Sequence, residues 1–300
     1  MQYALGKMKC VCHQIAGVVF RTEHDMFIPR LYEKPYSLFE VPAETPHDAL
    51  FCFSQDPYQG QSQRGWNIER LPREVFRELS VSRSFDSSDG GSDARSFVQM
   101  DEDQIVLTDF NHPKLTAILR PTVYGHPAGT HVAANMALSY AAMLPLFGAM
   151  SIHCGGIIRH GKALLLVAPD GGGKTTAIQL SQESPILHDD QVVLRRVGKT
   201  VIAYATPFGR MTSGPNSAEV GALLLLRKAR AFSVCPASKH EILRCLWSDH
   251  RSILPRLPHK EKRTAFDLLS YTSFHVPAFV LRFPKDYIDW DAVDRAMHPQ

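Results

Sequence analysis

Short alternating apolar runs mark roughly the first 80 residues. Gly17-Val-Val-Phe20 and Ala49-Leu-Phe-Cys-Phe53 are examples, each bounded by clusters of Pro, Gly, Ser and Asp. A period of two sends successive side chains to opposite faces of a pleated strand, so this region is predicted to be β-rich. Phe85-Asp-Ser-Ser-Asp-Gly-Gly-Ser-Asp-Ala94 has almost no apolar content and reads as a flexible loop. From His131 to Phe147 the chain turns to Ala, Met and Leu, with Asn135 and Ser139 among them, which predicts a mostly buried helix. Pro145 and those polar residues make the segment a poor membrane span. The breaker-rich stretch from Pro121 to Gly129 leads into it, and a domain boundary is placed near residue 126. Residues 1–125 would then form a smaller β-rich (α+β) domain and residues 126–300 a second one.

The second part opens with Ser151-Ile-His-Cys-Gly-Gly-Ile-Ile158, a turn at Arg159-His-Gly-Lys162, and Ala163-Leu-Leu-Leu-Val167. Two apolar runs around a short glycine-containing turn predict a hairpin. Gln191-Val-Val-Leu-Arg195 and Thr200-Val-Ile-Ala-Tyr-Ala205 predict another, with Thr206-Pro-Phe-Gly-Arg210 at its far end. The overall reading is an α/β protein with a mixed sheet.

Composition sharpens this only slightly. With 300 residues, 44% of them hydrophobic and 21% charged, the chain is an ordinary globular one. A formal net charge of +3, spread without a long basic run, argues for neither a nucleic-acid partner nor a membrane surface. No stretch resembles a signal peptide or a membrane span, so a cytoplasmic location is expected. Six scattered cysteines do not form a disulfide framework and are expected to be reduced. Cys10-Val-Cys12-His13 lacks a second ligand pair and reads as alternating positions on a strand rather than half a metal site.

The chemistry concentrates in Ala168-Pro-Asp-Gly-Gly-Gly-Lys174-Thr175-Thr176, directly after the apolar run ending at Val167. A phosphate cradle needs inward backbone N–H groups, glycines where a Cβ would block the approach, a lysine for the β and γ phosphates, and a hydroxyl for Mg²⁺. Pro169, Asp170, Gly171, Gly172, Gly173, Lys174, Thr175 and Thr176 are therefore the candidate nucleotide-binding residues. A helix from about Lys174 to Glu183 would present its N-terminus to the anion. Where the usual phosphate-loop pattern begins with glycine this chain has Ala168, which would be strained if the position needs positive φ.

Phosphoryl transfer also needs carboxylates, and Asp189-Asp190 follows Lys174 at the distance of one helix, a turn and the short strand Pro185-Ile-Leu-His188. That spacing places the pair at the carboxyl end of a neighbouring strand, beside the loop. Adjacent carboxylates repel, so one is expected to bind metal while the other keeps a basic lone pair. Arg210 is open to two readings, neutralisation of a transferring phosphate or plain surface charge.

The order of His153, hairpin, glycine-rich loop, helix, Asp189-Asp190 and second hairpin resembles the catalytic domain of the HPr kinase/phosphorylase family, whose fold is shared with phosphoenolpyruvate carboxykinase. The similarity runs from about Ala141 onward and takes in the strands Ala218 to Arg227 and Val276 to Phe283. More narrowly, the chain looks like the short HPr-kinase-related proteins of peptide-modifying cassettes, including kinases of a lasso-peptide serine. The resemblance implies an ATP- and Mg²⁺-dependent kinase acting on a hydroxyl, a serine of a protein or peptide. It implies Lys174 and Thr175 at the phosphates and Mg²⁺, Asp189 as general base, Asp190 as metal ligand, and His153 near the γ-phosphate or the base. His188 stands where that family usually has a small residue. Other readings are a nucleotide-binding regulatory or scaffold protein with little catalysis, and a small-molecule kinase or carboxykinase. The N-terminal region is open to a role in recognising a peptide substrate. The oligomeric state is left open, a homo-oligomer included.

Overall fold

Among the described residues, seven strands build the sheet of the N-terminal part: β1 (Lys9–Ile15), β2 (Val18–His24), β3 (Glu40–Val41), β4 (Ala49–Gln55), β5 (Ser96–Met100), β6 (Gln104–Asp109) and β7 (Lys114–Leu119). The computed structural model describes residues 9–24, 36–55, 96–100, 104–119, 137–181, 183–208, 213–248, 254 and 257–297. Residues 1–143 with 256–259 form one unit, and residues 144–255 with 260–300 form another.

In the first unit the strand order is β3-β1-β2-β4-β7-β6-β5. The sheet is mixed, since β4 runs parallel to both β2 and β7 while the other pairs are antiparallel. The β1–β2 hairpin closes at Ala16 and Gly17, whose φ angles of 53° and 77° are the two positive values that a tight type I′ turn demands. One face carries Val11, His13, Phe20, Thr22 and Phe51, all buried. Tyr140, from a helical segment at 137–143, packs edge-on against Phe20 and Phe51 with ring centroids 4.3 and 4.8 Å apart. Cys10 and Cys12 point to the opposite face of β1, as strand alternation requires. The helix expected from His131 is described only from residue 137, and after 143 it tightens into a 3₁₀ turn at Leu144–Phe147. The loop expected at 85–94 lies outside the described residues.

The second unit holds β8 (Ala149–Arg159), β9 (Lys162–Val167), β10 (Ile186–His188), β11 (Gln191–Val197), β12 (Thr200–Tyr204), β13 (Ser217–Lys228), β14 (Ser233–Pro236) and β15 (Ala278–Phe283). Its helices are α1 (Lys174–Gln179), α2 (Lys239–Ser248), α3 (His259–His275) and α4 (Trp290–Met297). The long strands β8 and β13 organise it. Residues 149–153 of β8 pair with β11, and residues 154–159 pair with β9 in the expected hairpin. Strand β9 is antiparallel to β8 but parallel to β13, which is in turn parallel to β15. The sheet is therefore mixed, and the protein is an α/β fold with two mixed sheets.

Leu164, Leu166, Leu224, Leu226, Leu281 and Phe283 line one face of this sheet, covered by Ala177 and Ile178 of α1 and Val293 of α4. The intervening Leu165, Leu223, Leu225 and Val280 are buried as well. That is why these strands read as unbroken apolar runs rather than as alternation. Trp290 Nε1 donates to Leu180 O at the end of α1, and Arg159 makes a two-pronged pair with Asp294 of α4 at 3.2 and 2.6 Å. These bonds lock α1, and with it the loop before α1, to the tip of the β8–β9 hairpin. Among the described residues no helix is long and apolar enough to cross a membrane.

Candidate functional site

The expected neighbourhood of Asp189-Asp190 needs correcting. Strand β10 does not lie beside β9: β8 runs between them, pairing with β9 and with β10. Ile186 pairs with Ile157, His188 with Gly156, Gln191 with His153, and Arg195 with Ala149. Strands β10 and β11 thus follow one path antiparallel to β8, with a register shift between Ile186 and His188 and a break in the pairing at Asp189-Asp190. An interruption of this kind lets side chains leave the alternation of a regular strand. Because Val167 pairs with Cys154, next to His153, the glycine-rich loop leaves β9 at the level of the interruption.

The loop itself is built as its glycines require. Gly172 N donates to Pro169 O at 2.9 Å, closing a turn. A Cβ on Gly172 would stand 2.8 Å from Pro169 O and 2.7 Å from Ala168 Cβ. Gly173 precedes α1 with φ of 104°, and a Cβ there would meet the Phe283 ring at 3.1 Å. Ala168 takes ordinary negative-φ geometry, since Ala16 and His160 are the non-glycine residues with positive φ among those described. Its methyl is buried in the core cluster, so alanine is well accommodated there. Helix α1 ends at Gln179, earlier than expected, where Leu180 and Ser181 close it.

Lys174 is buried, and its Nζ donates to Ala168 O at 2.9 Å and to Pro169 O at 3.5 Å. The ammonium therefore lies across the loop's own carbonyls. Asp170 Oδ1 sits 3.7 Å from it, on a side chain 92% exposed. Thr175 is exposed at the start of α1, and Thr176 is half-buried.

His153 joins the loop to the carboxylates. Its Nε2 lies 2.9 Å from Asp190 Oδ1 and 3.4 Å from Asp170 Oδ1. The hydrogen bond from His153 is the largest influence on Asp190 and outweighs its partial burial, holding its carboxyl below the ordinary value. Lys174 and the His153 ring act in the same direction. The two aspartates differ in exposure, 17% for Asp189 and 55% for Asp190.

His188 is wholly buried behind the pair. Its Nδ1 accepts the backbone N–H of Asp190 at 3.0 Å and of Gln191 at 2.8 Å, which fixes the proton on Nε2. Nε2 donates to Thr206 O at 2.9 Å. Burial pushes the His188 imidazole below its ordinary pKa, against the pull of Asp189 and Asp190, and keeps it neutral. Thr206 Oγ1 completes the lock by donating to Gln191 O at 2.8 Å.

Loop, His153, Lys174, Asp189 and Asp190 thus gather at one end of the β8–β9–β10 array. Arg210 lies outside the described residues. Among those described, no group of three or more His, Cys, Asp or Glu is arranged to hold a metal by protein side chains alone. Two contributors escaped the sequence: Phe283, which walls Gly173 from β15, and Thr206, which anchors His188. Phe283 carries no local signal, being distant in the chain and one apolar residue among many. The one signal for Thr206 is its place just beyond β12, ahead of a proline.

No family profile matches the chain, and no curated protein matches it either. Among solved structures, the Hpr(Ser) kinase/phosphatase from Coxiella burnetii aligns over 49% of this chain and 91% of its own, at 8% identity and a TM-score of 0.26. A likeness that distant carries no argument about what this chain does.

Proposed function

We propose that this chain is a P-loop phosphotransferase that moves the γ-phosphate of ATP to a hydroxyl group, with a serine of a protein or peptide as acceptor. The observation that carries the reading is the meeting of Lys174, Asp170, His153 and Asp190 at contact distances of 3.7, 3.4 and 2.9 Å, from three separate segments of the chain. A loop whose backbone leaves no room for a Cβ at Gly172 or Gly173, with a buried ammonium across it, suits an anion better than any neutral ligand. Carboxylates beside such a loop serve a cation and a proton rather than the phosphate itself.

The roles follow from exposure and partners. Pro169, Asp170, Gly171, Gly172 and Gly173 form the cradle, and Lys174 would exchange its bonds to the Ala168 and Pro169 carbonyls for phosphate oxygens. Thr175 and Asp190 suit Mg²⁺, since one offers an exposed hydroxyl and the other a carboxylate kept ionised by His153. Bound Mg²⁺ would supply charge neutralisation on the phosphates. Asp189 then takes the acceptor proton as general base, while His153 holds Asp190 in place and in its ionised form. The N-terminal unit is left for acceptor recognition.

The test is incubation of the purified chain with γ-labelled ATP, Mg²⁺ and candidate serine peptides, followed by mass spectrometry of the products. Asp189→Asn should abolish transfer while nucleotide binding survives, and Lys174→Ala should remove both. Nucleotide binding with no transfer to any acceptor would leave a regulatory or scaffold protein in place of the kinase. Loss of binding in Asp189→Asn would remove the general-base role.

A further inference from the structure

The carboxylate pair sits where the β ladder offers it no support. His188 pairs with Gly156 and Gln191 with His153, so Asp189 and Asp190 bridge a gap in the pairing opposite Cys154 and Gly155. Backbone N–H groups left at such a gap need another acceptor. Here the acceptor is one side chain: His188 Nδ1 takes both Asp190 N and Gln191 N, at 3.0 and 2.8 Å.

We propose that His188 is the positioning residue of the Asp189-Asp190 pair, its neutral imidazole replacing the missing ladder partners and setting the direction in which both carboxylates leave the strand. This rests on the phosphotransferase reading for its kinetic consequence, though not for its structural one. The ring is anchored at its other nitrogen by Thr206 O at 2.9 Å, and Thr206 Oγ1 binds Gln191 O at 2.8 Å. His188, Thr206 and Gln191 form a closed loop of hydrogen bonds linking β10, β11 and the end of β12. The ring cannot tilt without breaking a bond at one nitrogen or the other. A shorter side chain that bonds the backbone two and three residues ahead, as Asn does in an Asx turn, could hold the gap in the same way. One that reaches only to the Nε2 position could not.

The contrast between His188→Asn and His188→Gln therefore isolates the function of Nδ1. Both are amides of lower volume than imidazole, and both leave some space in the core. Asn places an acceptor near Nδ1, and Gln places its amide near Nε2. The expected result is that H188Q lowers kcat by about 10²-fold with nucleotide KM little changed, the cost of misplacing a catalytic group by about 1 Å. H188N should retain kcat within about tenfold of the natural chain, since its acceptor keeps the backbone in register. Hydrogen exchange resolved to single amides gives the second readout. Asp190 and Gln191 should stay protected in H188N and lose protection in H188Q. Equal kcat in the two variants, or equal protection of the two amides, overturns the assignment. Because exchange needs no turnover, it decides the role of His188 even if the chain transfers no phosphate.

Discussion

His153 Nε2 lies 2.9 Å from Asp190 Oδ1, although 37 residues separate the two along the chain. The bond ties β8 to the gap between β10 and β11, and the same nitrogen stands 3.4 Å from Asp170 in the loop. His153→Ala is expected to lower the transfer rate by about 10- to 100-fold, the usual cost of losing the partner that orients a metal-binding carboxylate. Nucleotide affinity should change far less, because Lys174 and the loop backbone remain. Equal losses in rate and affinity, measured by single-turnover kinetics and calorimetric titration, would move His153 into phosphate binding.

Gly173 has no tolerance for a side chain, on two separate grounds. Its φ is 104°, and Phe283 stands 3.1 Å from where a Cβ would be. Gly173→Ala should destabilise the fold by about 1–3 kcal/mol, the cost of one residue held in a disfavoured backbone region. Phe283→Ala added to it removes the contact but leaves φ unchanged. The double variant should therefore recover little nucleotide binding, and full recovery would show that sterics alone govern the position.

Ala168→Gly restores the glycine of the usual phosphate-loop pattern, yet it should bring no gain in nucleotide affinity. Ala168 has ordinary φ and a buried methyl, so glycine adds only freedom to the unfolded chain and a small void. The expected change is a loss of about 0.4–1 kcal/mol in denaturant unfolding. A clear rise in affinity would mean that the alanine restrains the loop.

Arg159 and Asp294 hold α4 to the hairpin tip, with His160 Nε2 also 3.0 Å from Asp294. Burial works against the Asp294 carboxylate, but the bonds from Arg159 and His160 outweigh it and keep its pKa below the ordinary 3.8. A lowered carboxylate pKa contributes stability that is complete above the ordinary value and is lost as pH falls through the lowered one. Unfolding by urea should therefore show a drop on acidification below pH 3.8 that is smaller in Arg159→Ala. At neutral pH that variant should lose about 1–3 kcal/mol, the cost of leaving a largely buried charged acceptor short of a partner. An unchanged acid limb would mean that other carboxylates dominate it.

Much of the local structure was legible because it depends on local rules. The runs at 151–158 and 163–167 around His160-Gly161 predicted β8 and β9, and the turn delivers positive φ at both central positions. Strands β11 and β12 follow from the same logic. Helices α2 and α3 were not read, since charged residues break up their apolar positions. The pairing of β10 was misread for a different reason. Three residues of strand carry no mark of their partner, and adjacency to β9 was inferred from spacing when β8 in fact separates the two.

By itself the sequence determined which residues can do chemistry: a lysine after three glycines, two adjacent carboxylates, and a histidine on an apolar strand. Those are properties of side chains and of backbone freedom, and they need no neighbours to be stated. Only the tertiary structure decided which of them meet. The break in the ladder brought His153 to Asp190 rather than to Asp189: Gln191 is the register partner of His153, so regular alternation would have put Asp189 on the face of His153 and Asp190 on the other. It also turned His188 from an odd neighbour of the aspartates into their backbone support, because a buried imidazole must find partners for both nitrogens and found them in the gap it fills.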